Sequence, residues 1–269
     1  MNNKTLNLDI NGATIYCQIK GSGTLVLLIH GAVCDSDFFE DTAEILAKNH
    51  LVISYDRRGY SRSDGEIDGD FLWVEALDAA AVIKKIVPDT PVVVVGCSTG
   101  ALLAMKLANL FPELVSLLIL HEPPMTAFLP EDSEVLKIAA KANEFIARGR
   151  YMSAANRFLL LMEDSDMRAK PKPEEVTLRE AKNMMFFIKN EFLHVFSKKR
   201  PPEIPETVPA VICVGDARAD YFIRNTAQKF SKECGIPLVY FPGLHNCAYE
   251  LPMEFAVGVE GIIKVWNTI

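Results

Sequence analysis

Short, continuous apolar runs recur along the chain at 25–29, 51–55, 92–95, 114–120, 210–214 and 238–241. Runs of this length, apolar at nearly every position, suit strands covered on both faces, as in a parallel sheet. Ahead of them, 6–10 and 13–19 flank Asn11-Gly12, a dipeptide that favours a two-residue hairpin turn. Between the runs the period becomes helical. Leu72, Ala76, Ala79, Ile83 and Ile86 share a face of a helix that Pro88 ends; Leu103, Leu107 and Leu110 share a face of another that Pro112 ends. Strands alternating with helices predict an α/β fold, a mostly parallel eight-stranded sheet with helices on both faces.

The alternation breaks between 125 and 207. Helix-like segments at 139–162 and 174–196, rich in Phe, Leu and Met, lie among Pro130, Pro171, Pro173, Pro201, Pro202 and Pro205. A structureless loop of this length is rare inside a compact domain, so the stretch reads as a helical insertion. The expected division is a core of 1–124 and 208–269 with a helical cap over 125–207. Most of the insertion's aromatics are expected to pack a small core of its own.

Composition narrows the function. A chain of 269 residues, 49% hydrophobic and 23% charged, can bury a sizeable core. A net charge of −7, with no basic run beyond Lys198-Lys199-Arg200, argues against nucleic acid or an anionic membrane as partner. No apolar run approaches the roughly 18 residues of a membrane span, and the polar start Met1-Asn2-Asn3-Lys4-Thr5 does not read as a secretory signal. Cys17, Cys34, Cys97, Cys213, Cys234 and Cys247 show no C-x-x-C or C-x-x-H spacing that would suggest zinc. The expectation is a cytoplasmic protein with free thiols and neither metal nor organic cofactor.

Candidate chemistry sits where strands end. Val92 to Val95 run into Gly96-Cys97-Ser98-Thr99-Gly100, and a helix-forming stretch follows at once. Small residues on either side permit a tight strand-to-helix turn that pushes Ser98 into a strained, exposed position. The helix start behind it offers free backbone N–H groups to a developing oxyanion, that of Thr99 among them. A second strand ends in His30-Gly31-Ala32, a loop that can supply the Ala32 N–H as the other donor, with His30 orienting the loop. Serine needs a general base. Of the five histidines, only His245 follows both the serine and the last strand-like run, with a glycine two residues before it. His50 reads as a helix C-terminal residue, and His194 lies in the insertion.

These elements, in this order, resemble the α/β-hydrolase family, and Asp56-Arg57-Arg58-Gly59-Tyr60-Ser61-Arg62-Ser63 is similar to its D-x-R-G-x-x-x-S loop. The resemblance covers roughly 5–124 and 209–268 and implies a cap inserted between the sixth and seventh strands. It also implies a triad acid, usually after the seventh strand in a G-D-x-D pattern. Here Gly215-Asp216-Ala217-Arg218 places arginine at that position, leaving Asp216 and Asp220 as alternatives. Some members carry the acid after the sixth strand, where this chain has His121-Glu122-Pro123-Pro124. That segment, with G-C-S-x-G upstream, is similar to the fungal zearalenone lactonases, which use the glutamate; the likeness favours Glu122. It implies a serine hydrolase of esters or lactones. Phe128, Phe145, Phe158, Met184, Met185 and Phe187 are expected to line an apolar pocket under the cap. The same triad serves carbon–carbon bond hydrolases and perhydrolases, and survives in plant hormone receptors. The intact Ser–His pair and the lack of a recognisable interaction segment favour an enzyme.

Overall fold

The computed structural model describes residues 3–88, 90–162, 174–217 and 221–268. Its eight strands form one sheet: β1 (Lys4–Ile10), β2 (Ala13–Gly21), β3 (Thr24–Ile29), β4 (His50–Tyr55), β5 (Val92–Cys97), β6 (Val115–His121), β7 (Ala210–Gly215) and β8 (Leu238–Phe241). Their spatial order is β1-β2-β4-β3-β5-β6-β7-β8. The β1–β2 hairpin turns at Asn11 and Gly12, both at positive φ, and β2 runs antiparallel to β4; every other pairing is parallel. Chain order reverses across the sheet at β3 and β5. In open α/β sheets, ligands bind in the crevice beyond the strand ends at such a reversal.

The parallel strands are apolar at most positions because both faces are covered. Leu27, Val94, Leu118 and Ile212 pack with α2 (Phe71–Ile86), α3 (Thr99–Leu110) and α8 (Phe222–Cys234). Their neighbours Val26, Leu28, Val95, Ile119 and Cys213 pack on the opposite face with α1 (Glu40–Leu46), α9 (Cys247–Glu250) and α10 (Pro252–Trp266). Burying one such aliphatic side chain is worth about 1.5–3 kcal/mol, so each strand serves two cores. Asp70 caps α2 by accepting from the N–H groups of Leu72 and Trp73, and Pro88 follows its last turn because the residue before a proline avoids helical geometry.

Between β6 and β7 lie α4 (Glu134–Ala147), α5 (Tyr151–Met162), α6 (Glu174–Asn190) and α7 (Phe192–Val195). Three expectations differ here. The segment expected as helical from 139 is two helices, turning at Gly149 with φ 68°. The aromatics do not form a separate core: Phe158, Phe187, Phe192 and Phe196 belong to one continuous cluster with α2, α3 and the sheet. His50 opens β4 instead of closing a helix, because α1 ends at Leu46. No helix among the described residues is long and apolar enough to cross a membrane.

Candidate active site

Gly96 to Gly100 carry the chain from β5 into α3 with no spare volume. A Cβ at Gly96 would lie 2.5 Å from the Gly100 carbonyl oxygen, and one at Gly100 would lie 2.3 Å from that of Ile29. Ser98 between them takes φ 55° and ψ −125°, a region that costs a non-glycine residue roughly 1–3 kcal/mol. Its N–H donates to the His121 carbonyl at 2.9 Å, tying the turn to the end of β6. Ser98 lines a cavity of about 320 Å³, and Ala32 and Thr99 line it too. Gly31 passes so close that a Cβ there would meet the Ser98 Cβ at 2.9 Å. Thr99 opens α3, and the first N–H groups of a helix have no carbonyl four residues back to bond.

His245 lies beyond β8 in the same cavity wall. Its Nδ1 stands 2.7 Å from Oε2 of Glu122, the first residue past β6. The other carboxylate oxygen accepts the Gly215 N–H at 2.9 Å. Glu122 is 1% exposed and held at φ 43°. Burial alone pushes its carboxyl up, but the bond and charge of His245, the neighbouring His121 and the Gly215 N–H outweigh it and hold Glu122 below the usual range. An ionised Glu122 accepts Nδ1–H, which leaves the lone pair of the neutral ring on Nε2. Asp216 is exposed and is turned to the loop backbone: Oδ1 accepts the Gly243 N–H at 3.0 Å. Arg218 and Asp220 lie outside the described residues.

The loop after β3 is fixed from beneath. His30 is fully buried; its Nδ1 contacts the Gly31 carbonyl at 2.8 Å and its Nε2 accepts the Arg57 N–H at 3.0 Å. Burial and the Arg57 charge push its pKa down to about 3, so the ring is neutral and structural. Arg57 in turn binds Glu75 of α2 through Nε at 2.5 Å and Nη2 at 2.9 Å, and Glu191, between α6 and α7, through Nη2 at 2.6 Å. Tyr60 donates to the same Glu191 oxygen at 2.5 Å. This buried cluster joins the sheet, α2 and the inserted helices. The motif residues Asp56-Arg57-Arg58 pointed to the loop, but not to its acid partners. Glu75 and Asp78 on the apolar face of α2 were the available signal, since acids there need buried bases; Arg58 holds Asp78 through Nε at 2.6 Å.

Phe158, Met184 and Phe187 line the cavity, joined by Met162, Phe196 and Ile223. The other three expected lining residues lie elsewhere. The Phe128 ring packs on Phe230 of α8, 5.8 Å between centroids. Phe145 sits under the Lys141 ammonium and the Arg150 guanidinium. Met185 borders a shallow depression with Gly149 and Tyr151; consecutive helical residues point about 100° apart, so it cannot share the face of Met184. Asp35, Asp37, Arg179 and Glu180 add a charged sector to the cavity wall. No group of three or more His, Cys, Asp or Glu among the described residues could hold a metal ion.

Comparison with known proteins gives this geometry a context. The chain is 31% identical over 272 residues to the uncharacterized hydrolase YraK of Bacillus subtilis, covering 98% of this chain and 97% of that one. It is 30% identical over 149 residues to the monoglyceride lipase of Mus musculus, about half of each protein. An esterase from Thermogutta terrifontis superposes with a TM-score of 0.71 at 18% identity, covering 99% of both chains. Residues 26–257 match the model of the Alpha/beta hydrolase family. With the sheet order, the strained serine turn and this match over most of its length, the chain belongs to the alpha/beta hydrolase family.

Proposed function

We propose that this hydrolase cleaves carboxylic esters or lactones of small to medium lipophilic substrates through an acyl-enzyme on Ser98. The observation that carries the reading is the Glu122–His245 pair at 2.7 Å, whose imidazole stands in the wall of the cavity that Ser98 also lines. The Ser98 Oγ attacks the carbonyl carbon while its proton passes to His245 Nε2. The Ala32 and Thr99 N–H groups receive the oxyanion. As the tetrahedral intermediate collapses, the ester C–O bond breaks and the Nε2 proton goes to the leaving oxygen; in a lactone that oxygen stays tethered to the acyl group. Water then attacks the acyl carbon, gives a proton to Nε2 and releases the acid, and Ser98 takes its proton back. Glu122 stays ionised and stabilises the imidazolium in each half-reaction. The inserted helices act as a cap: Phe158, Met162, Met184 and Phe187 enclose the apolar part of the substrate and exclude water. The likeness to a monoglyceride lipase supports ester chemistry.

Turnover of p-nitrophenyl esters of graded chain length, and of a simple lactone, tests the reading. Ser98→Ala should lower kcat by several orders of magnitude, about 10⁶ where a serine nucleophile has been removed elsewhere, with the fold intact by circular dichroism. A purified variant keeping more than a tenth of wild-type turnover would remove Ser98 from the mechanism.

A further inference from the structure

Asn183 is fully buried in the middle of α6, a position where a polar side chain must be satisfied by the elements it packs against. All of its side-chain partners lie on the loops that follow β3 and β4, the first of which packs against Ser98 through Gly31. Its Nδ2 donates to the Val33 carbonyl at 3.1 Å, to the Cys34 carbonyl at 3.1 Å and to the Ser61 Oγ at 2.9 Å. Its Oδ1 accepts the Ser61 N–H at 2.8 Å. Two of these partners are in unfavourable backbone: Val33 has φ 67° and Ser61 has φ 45°. Left-handed geometry is rare for any side chain and worst for a β-branched one such as Val33. Val33 directly follows Ala32, the proposed oxyanion donor. The conformation that aims the Ala32 N–H is therefore one this sequence resists locally and one that the Asn183 amide holds in place.

The rest of α6 explains why the clamp sits on this helix. Phe186, one turn on, covers Gly59 so closely that a Cβ there would overlap its ring. Arg179, one turn back, reaches Asp37 at 2.8 Å. Residues 179, 183 and 186 thus hold the loops, while Met184 and Phe187 face the cavity. One rigid helix touches both the space for the substrate and the loop that would bind the oxyanion.

We propose that Asn183 is a positioning residue for the oxyanion loop: the cap, through this one amide, holds Ala32 and Val33 in the geometry that binds the tetrahedral intermediate. This rests on the ester-hydrolase reading above. Because Asn183 acts through the loop, its loss should weaken transition-state binding while leaving ground-state binding nearly intact.

Asn183→Asp keeps the shape and the acceptor for the Ser61 N–H but removes both donors to the Val33 and Cys34 carbonyls. On p-nitrophenyl octanoate, kcat should fall by about 10- to 100-fold, as expected for a small misplacement of a catalytic group, with KM within about threefold. Affinity for octylboronic acid, which forms a tetrahedral adduct on serine, should fall in proportion to kcat/KM, whereas inhibition by octanoate, the product, should not change. Hydrogen exchange at 31–34 should quicken, while β5 and β6 stay protected. Ser61→Gly, which tolerates φ 45° and removes the Oγ that accepts from Asn183 and donates to Asp35 at 2.7 Å while keeping the Ser61 N–H bond to Asn183, provides a milder series should the aspartate variant fail to fold: a several-fold loss of kcat with the same boronate dependence. A folded variant with unchanged kcat, or a loss confined to KM, overturns the proposal. So does an equal loss of boronate and octanoate affinity, which would mean a collapsed pocket. A wild type that turns over no ester overturns both readings; an active wild type with a fully active Asn183→Asp overturns this one alone.

Discussion

Two of the buried carboxylates that sit beside basic partners, Glu122 and Glu75, show opposite outcomes of burial. Glu122 is held below the usual range because His245 and the Gly215 N–H each satisfy one of its oxygens. Glu75 is equally buried, yet burial raises its carboxyl despite the Arg57 charge, since the same guanidinium also serves Glu191. One cation cannot fully offset two carboxylates removed from water. The first arrangement keeps a charge ready beside a cavity-lining imidazole; the second joins the inserted helices to α2 and the loop after β4. A buried acid is therefore read from how its partners divide, not from its depth.

The sharpest way to separate the two clusters is Glu122→Gln. The amide can present N–H to the imidazole and favour the wrong tautomer; the matching change in the serine-protease triad costs about 10⁴ in kcat. We expect a loss of that order with little change in Tm, measured on p-nitrophenyl butyrate. A variant with near-normal kcat would deprive Glu122 of its proposed role.

Arg57→Met should do the reverse and act first on stability. It leaves two carboxylates buried without their cation, and breaking such a pair costs about 3–5 kcal/mol. Urea unfolding followed by tryptophan fluorescence would show it, and a loss below about 1 kcal/mol would mean that the cluster does not hold the inserted helices in place.

The pH dependence should divide the clusters next. Glu75, raised in the folded state, contributes stability that is present below its unfolded pKa and lost as pH rises through the folded value. Glu122, lowered, contributes stability that is present above its unfolded pKa and lost as pH falls through the folded value. Glu75→Gln should accordingly gain on the wild type as pH rises from about 4.5 to about 7 and level off above that, by at most about 1.4 kcal/mol per pH unit. Parallel stability curves would contradict the sharing of Arg57. Asp216→Asn should have the smallest effect, about twofold on kcat, because its contact is to the Gly243 N–H; a loss matching that of Glu122→Gln would move the acid to β7.

Much of this was legible in the sequence, for reasons particular to the residues. Strands such as Val92 to Val95 declare themselves because a doubly covered strand must be apolar throughout. Glu122 and His245 could be singled out because each follows an apolar run that fixes where its backbone emerges. Apolar residues of the insertion were harder. Phe145 and Phe158 are alike in composition, and only helix packing decides that the second faces the cavity. Asn183 gave no signal, since a polar residue in an amphipathic helix reads as solvent-facing until the loop carbonyls it serves are seen. Glu75 could have been found: it falls between Leu72 and Ala79 on the apolar stripe of α2.

The position of Glu122 has a consequence for how such a protein can change. On the proposed chemistry, nucleophile, acid and oxyanion loop all emerge from three adjacent central strands, β3, β5 and β6. The side chains after β7 are thereby freed from serving as the acid: Gly215 assists Glu122 only through its backbone N–H, and Asp216 need only brace the turn of its neighbour. Natural drift or a directed library at Ile223, which follows β7 at the start of α8 and lines the cavity, could then reshape its wall without touching the acid. In a relative that keeps its acid after β7, the same substitutions would put catalysis at risk.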